Sequence, residues 1–184
     1  YTGKQAIIPQ FGVDETLYSP PAQRDSGRGF VIGSANRRLV PEKGVDLLLR
    51  AAAKLPGVWQ VRIAGDGGER PFLENLAREL GIADRVQFDG IIGSAAIPAY
   101  LQALDALVLP SRTLPNWKEQ FGRVLIESMA CEVPLIGSDS GEIPHVIGDA
   151  GLIFPEDDVD ALHAHLLTLM QSPELRRELG KKGR

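Results

Sequence analysis

Strand-like and helix-like runs alternate along this chain, and the turns between them are too short for any arrangement except repeated strand–helix crossovers. Residues 29–35 are a buried-type strand. After the loop 36–42, Val45, Leu48, Leu49, Ala52 and Leu55 fall on one helical face before Pro56-Gly57 stops the helix. The unit then recurs, with strands expected at 59–64, 85–88, 105–109, 133–137 and 151–154. Between them come helices over 70–80, up to about Leu104, from Gly122 through Met129 and Cys131, over 143–147 and over 159–170; Ser172-Pro173 opens another. Short links of this kind imply right-handed crossovers and a mostly parallel sheet covered on both faces.

The fold class expected is therefore α/β, a Rossmann-like doubly wound sheet. Ligands of such sheets bind at the carboxyl ends of the strands, and Arg38, Gly67, Gly90, Ser111 and Gly122 all follow strands there. A length of 184 residues suits one sizeable core. With 24 acidic against 20 basic residues and no basic stripe, nucleic acid is not an expected partner. Cys131 is the sole cysteine, which excludes an internal disulfide and a cysteine-built metal site and fits a reducing, cytoplasmic setting. No run reaches membrane-spanning length, and no signal-peptide pattern occurs. The chain starts at Tyr1, directly before a strand-like segment at 5–9, and reads as a piece of something longer. Residues 1–28 are expected to be a strand and linker leading in from an amino-terminal domain, and 29–184 the main domain, its last helix cut short.

The chemistry concentrates in Glu119-Gln120-Phe121-Gly122-Arg123-Val124-Leu125-Ile126-Glu127. Two carboxylates bracket a glycine at a helix start, where unpaired N–H groups and the positive end of the helix dipole favour an anion. Gly122 lets a phosphate approach the backbone. Glu127 lies one further turn along, roughly 7.5 Å, where it could accept bonds from a ribose diol. Glu119 would point at whatever hangs from the far phosphate. Arg38 and Lys43 flank a loop on the same rim, where two cations would stabilise the charge of a departing diphosphate.

Other candidates are weaker. Gly65-Asp66-Gly67-Gly68 lacks the third glycine of a dinucleotide fingerprint, since Arg70 stands there, and no P-loop occurs. The turn reads as a tight strand-to-helix connection that lets a ligand approach. His163 and His165 are two apart on a helix, about 200° around its axis, and cannot share a metal. They read as boundary residues, His145 as structural, Cys131 as core, and Ser111 as a hydroxyl capping backbone. With no ligand-spaced Asp/Glu cluster, no metal site is expected.

Taken together, these residues resemble the carboxyl-terminal, donor-binding half of the family 4 retaining glycosyltransferases, which have the two-domain GT-B fold. The matching pieces span nearly the whole chain. Ile8-Pro9-Gln10-Phe11-Gly12-Val13-Asp14 looks like the segment leading into this half. Arg38-Leu39-Val40-Pro41-Glu42-Lys43-Gly44 resembles the diphosphate motif, and Gly65-Asp66-Gly67 a family turn. Val86 through Ile92 is similar to the base-binding strand and loop, Glu119 through Glu127 to the Glu-x7-Glu signature, and Ser140-Gly141-Glu142-Ile143-Pro144 to the segment after it.

The resemblance implies a metal-independent transfer, with retention, of a sugar from a UDP-, GDP- or ADP-sugar, with no further cofactor. Arg38 and Lys43 would hold the diphosphate together with backbone around Phe121, Gly122, Arg123 and Val124. Glu127 would bind ribose, Glu119 the donor sugar, and Ile92 with Gly90 the base. The amino-terminal half would supply the acceptor site, so the chain alone should catalyse little, and the full-length enzyme could associate peripherally with a membrane. Two positions depart from the pattern: Arg37 stands where glycine is usual, and His145 where an acidic residue is common. Alternatives are a GT-B nucleotide-sugar epimerase half and a non-catalytic nucleotide-binding regulatory module; the two glutamates and two cations together speak against both.

Overall fold

In the computed structural model, which describes residues 12–22 and 27–184, β1 (Phe30–Arg38) runs through the centre of the sheet. Its first five residues are buried on both sides, as a central parallel strand requires. Around it lie β2 (Trp59–Asp66), β3 (Val86–Gly90), β4 (Ala106–Leu109), β5 (Leu135–Ser138) and β6 (Gly151–Phe154), all parallel, in the order β3-β2-β1-β4-β5-β6. The chain moves outward from β1 to β3, then crosses back to lay β4 on the other side of β1. That reversal opens a crevice between the carboxyl ends of β1 and β4, the switch point where doubly wound sheets take ligands.

Alternating residues of each strand feed two apolar layers. Ile32, Val61, Ile63 and Ile136 meet Leu48 and Leu49 of α1 (Val45–Ala52), Leu73 and Leu76 of α2 (Arg70–Glu79), and, later in the chain, Leu162 and Leu166. Val31, Leu107, Leu109 and Leu135 meet Tyr100 and Leu101 of α3 (Ile97–Gln102), Leu125 of α4 (Arg123–Ala130), and Ile143 and Ile147 of α5 (Ile143–Ile147). Leu162 and Leu166 belong to α6 (Val159–Gln171), whose first turn is capped by Asp158. Ser172 caps α7 (Pro173–Gly183), which returns to α4: a Cβ at Gly183 would lie 2.9 Å from Met129 Cγ.

The expected doubly wound sheet is present, with differences that bear on the cleft. Asn36, Arg37 and Arg38, read as loop, continue β1, and Arg38 pairs with Asp66 beyond a register shift. The extension is possible because Gly65 has no side chain, since a Cβ there would stand 1.7 Å from the Asn36 carbonyl oxygen. The glycine turn thus receives neighbouring backbone. The helix before Leu104 is shorter than expected, a 3-10 turn at Ser94–Ala96 preceding α3. The strand expected at 5–9 and residues 23–26 of the expected linker lie outside the described residues. Residues 12–22 pack on the main body: Tyr18 is buried beside Leu125 and Cys131, and Gln102 Nε2 donates to the Ser19 carbonyl at 2.8 Å.

Candidate functional site

Two adjoining hollows, of about 450 and 510 Å3, occupy the crevice and share Ala35, Asn36, Arg37, Arg123 and Val124. Arg38, Lys43, Trp117, Glu119 and Gly122 line the first. Tyr18, Gly65, Ile91, Ile92 and Glu127 line the second. One continuous trough therefore runs from Ile92 past the start of α4 to Glu119.

Gly122 is the N-cap of α4, at φ 69° and ψ 62°, the left-handed region that a side chain disfavours. Leu109 and Leu125 crowd the place a Cβ would take, at 2.8 and 2.9 Å. The amides of Arg123 and Val124, in the first turn, have no carbonyl within the helix to bond, and both residues line the hollows. Helix dipole and amides together make this turn the anion-attracting point of the trough.

Lys43 ends a 3-10 turn, Pro41–Lys43, that follows the carboxyl end of β1. Its Nζ lies 2.8 Å from Glu119 Oε2 and 4.7 Å from the centroid of the Trp117 ring. Glu119 is buried and also accepts a bond from the Ser111 hydroxyl at 3.1 Å, so Ser111 holds a side chain and does not cap backbone as expected. Arg112 locks the two loops together. Its amide donates to the Glu42 carbonyl at 2.8 Å, and its guanidinium grips both carboxylate oxygens of Asp46 at 2.6 and 2.8 Å. Those bonds to Asp46 hold the Arg112 pKa above its ordinary value. Arg37 and Arg38 are exposed at the rim; Arg37 lines both hollows, adding a third cation there.

Glu127, also buried, faces the second hollow with Arg123 Nε at 3.0 Å and the Tyr18 hydroxyl bonded to it. Burial pushes its carboxyl pKa up, while Arg123 and Tyr18 draw it back down. Beyond it, Ile91 is exposed and Ile92 half-buried. Gly90 and Phe121 stand beside the trough but not among the residues lining either hollow.

Other expectations sort as follows. His145, read as structural, is exposed and pairs with Glu142 at 3.2 Å. His163 and His165 are boundary residues, each bonding a backbone carbonyl, of Ala51 and Ile153. Cys131 is fully buried. Among the described residues no group of three His, Cys, Asp or Glu is placed to hold a metal ion, and no helix is long and apolar enough to cross a membrane. Sequence reasoning placed Ser111 on the rim without its bond to Glu119, and missed Tyr18, Arg112 and Trp117 as contributors to the cleft. Trp117, two positions before Glu119, had the best signal, an aromatic residue in a polar loop.

A cationic trough at the switch point of a parallel, doubly wound sheet defines an α/β domain of the kind that takes anionic ligands. The chain belongs to the glycosyl transferases group 1 family, whose model matches residues 26–184. It is 33% identical over 94% of its length to the GDP-mannose-dependent alpha-(1-6)-phosphatidylinositol monomannoside mannosyltransferase of Mycolicibacterium smegmatis, 49% of which is covered. It is 37% identical to the D-inositol 3-phosphate glycosyltransferase of Mycobacteroides abscessus, with 82% of this chain and 37% of that one covered. The chain thus spans about half the length, or less, of the curated relatives it matches.

Among solved structures it superposes on the C-terminal domain of a group 1 family glycosyl transferase (LpcC) from Francisella tularensis, with TM-score 0.79, 26% identity and 94% of each chain covered. It also superposes on HepE from Anabaena in complex with UDP, with TM-score 0.81 and 25% identity over 94% of this chain and 50% of that one. The fold is that of the GT-B glycosyltransferase domains, as the sequence resemblance implied.

Proposed function

We propose that the trough binds the nucleoside diphosphate-sugar donor of a retaining, metal-independent glycosyltransferase, and that the acceptor site lies on an amino-terminal domain of the same protein. The observation that carries this reading is the convergence of Lys43, Arg38 and the start of α4 on one hollow, with Glu119 and Glu127 at opposite ends of the trough. In this arrangement the diphosphate meets the amides of Arg123 and Val124 on one side and Arg38 and Lys43 on the other. Glu127 accepts from the ribose hydroxyls, Ile92 and its neighbours cover the base, and Glu119 reaches the sugar.

The chemistry follows from charge. As the bond from the anomeric carbon to the diphosphate oxygen lengthens, negative charge gathers on the leaving group. Fixed cations and a helix start, already oriented, stabilise that charge without reorganising. The HepE structures, solved with UDP and with UDP and glucose, support a nucleotide-sugar ligand for a domain of this fold. The Mycolicibacterium relative is named for a phosphatidylinositol-linked acceptor, which fits a full-length enzyme working beside a membrane surface. Titration of the chain with UDP, GDP and ADP against their monophosphates tests the reading. Tighter binding of one diphosphate is expected, and binding of none would overturn it.

A further inference from the structure

Trp117 and Glu127 line opposite ends of the trough: Trp117 borders only the hollow that holds Lys43 and Glu119, and Glu127 only the other. Among the described residues Trp117 is the one aromatic side chain lining its hollow. Its position is fixed by a closed turn, with the Leu114 amide donating to the Trp117 carbonyl at 2.7 Å and the Trp117 amide to the Leu114 carbonyl at 3.2 Å. The indole is half-buried, and the Lys43 ammonium rests 4.7 Å from its centroid. A π-face that carries a cation is electron-rich, and here the Lys43 ammonium occupies it.

We propose that Trp117 is a sugar-contact residue, its indole face packing on the C–H side of the hexose attached to the far phosphate. This rests on the donor-binding reading above and adds to it the residue that senses the transferred group. A diphosphate at the start of α4 competes for the Lys43 ammonium with both the Glu119 carboxylate and the indole, and its several charges outweigh one carboxylate and a ring quadrupole. Drawn toward the phosphates, Lys43 uncovers the ring. A pyranose offers an axial C–H patch of slight positive polarity, which suits the vacated face, while its hydroxyls turn to Glu119. Diphosphate binding and sugar recognition are thereby coupled through one ammonium group. The bulk of the indole also sets how much room the hexose has, which makes Trp117 a determinant of sugar identity.

The test compares Trp117→Ala and Trp117→Phe with the parent chain in calorimetric titrations against GDP, UDP and ADP and against GDP-mannose, UDP-glucose and ADP-glucose. For the base that binds, Trp117→Ala should weaken the sugar nucleotide roughly fivefold, the scale of one aromatic contact, while the bare diphosphate binds undiminished. Trp117→Phe, which keeps a ring, should recover most of that loss. Equal changes for diphosphate and sugar nucleotide, or no change for either, would overturn the proposal while leaving the donor-binding reading standing. If no diphosphate binds the parent chain, both fall together.

Discussion

Lys43 and Glu119, 76 positions apart in the chain, meet at 2.8 Å across the mouth of the cleft. The cation proposed to face a diphosphate is thus held by the carboxylate proposed to face the sugar. Neither partner depends wholly on the other. Outside the pair, Glu119 keeps a hydrogen bond from the Ser111 hydroxyl and Lys43 its place over the Trp117 ring.

Replacing the two partners should affect nucleotide binding differently. Lys43→Ala removes a charge-assisted contact to phosphate and should weaken binding of the preferred nucleoside diphosphate by about 1.5 kcal/mol, roughly tenfold. Glu119→Gln frees the ammonium and should leave that affinity unchanged or raise it. In the full-length enzyme the same Glu119→Gln change should lower turnover far more than it alters nucleotide affinity. Titration and steady-state rates check both, and an unaltered Lys43→Ala titration would remove that residue from the diphosphate site.

Glu127 ties the stability of the fold to pH. Burial raises its carboxyl pKa in the fold, so between the ordinary carboxylate value and the raised one the folded chain holds a proton that the unfolded chain has lost. Its contribution to stability is therefore complete below the ordinary value and is lost as pH rises through the folded one. Glu127→Gln, which carries no charge at any pH, should gain melting temperature relative to the parent at pH 7 compared with pH 4. The same change should weaken nucleoside diphosphates by ~1.5 kcal/mol while sparing pyrophosphate, because only the former offers a ribose. Paired melts at the two pH values and the two titrations read these outcomes separately.

How far the sequence carries can be seen in the cleft itself. The alternation of apolar runs was enough for the sheet, because each strand's burial is written in its own residues, as in Val31 and Ile32 facing opposite layers. The spacing from Glu119 to Glu127 placed two carboxylates on either side of a helix start, and Gly122 is the N-cap. What stayed hidden depends on partners distant in the chain. That Asn36 to Arg38 continue a strand follows from Gly65, which admits the Asn36 carbonyl. Nothing near Tyr18 says that its hydroxyl meets Glu127, and nothing near Arg112 says that it grips Asp46. His145 misled for the related reason that an isolated histidine looks the same in sequence whether packed or, as here, exposed.

Arg112 provides a test of how the cleft keeps its shape. It ties the loop after β4 to the loop and helix after β1 through the Pro41 carbonyl and Asp46, and to the loop after β6 through Asp157. Both Arg112 and Asp46 are largely buried, at 21% and 18% side-chain exposure, so truncation leaves a poorly solvated carboxylate. Arg112→Ala should lower stability by about 2 kcal/mol and weaken diphosphate binding through the freed Lys43 loop. Asp46→Asn should cost less, since Arg112 retains Asp157 and the carbonyl. Chemical denaturation of both variants orders the two losses, and equal losses would show that the guanidinium has no role beyond its pair with Asp46.

Gly122→Ala separates the backbone demand of the cleft from ordinary packing. A methyl group there must sit at φ 69° and within 3 Å of Leu109 and Leu125 side-chain carbons. The left-handed backbone costs ~1 kcal/mol and the crowding about 1–2 kcal/mol more, so a loss of roughly 2–3 kcal/mol is expected. Gly81→Ala supplies the control, having φ 70° with nothing within 4 Å of its Cβ, and should show the backbone cost alone. Binding should divide the pair more sharply still. Shifting the first turn of α4 displaces the amides of Arg123 and Val124 from the phosphate, so Gly122→Ala should lose diphosphate affinity at least tenfold. Gly81→Ala, remote from both hollows, should bind as the parent does; comparable losses of affinity in the two variants would mean that the start of α4 is not where the phosphates rest.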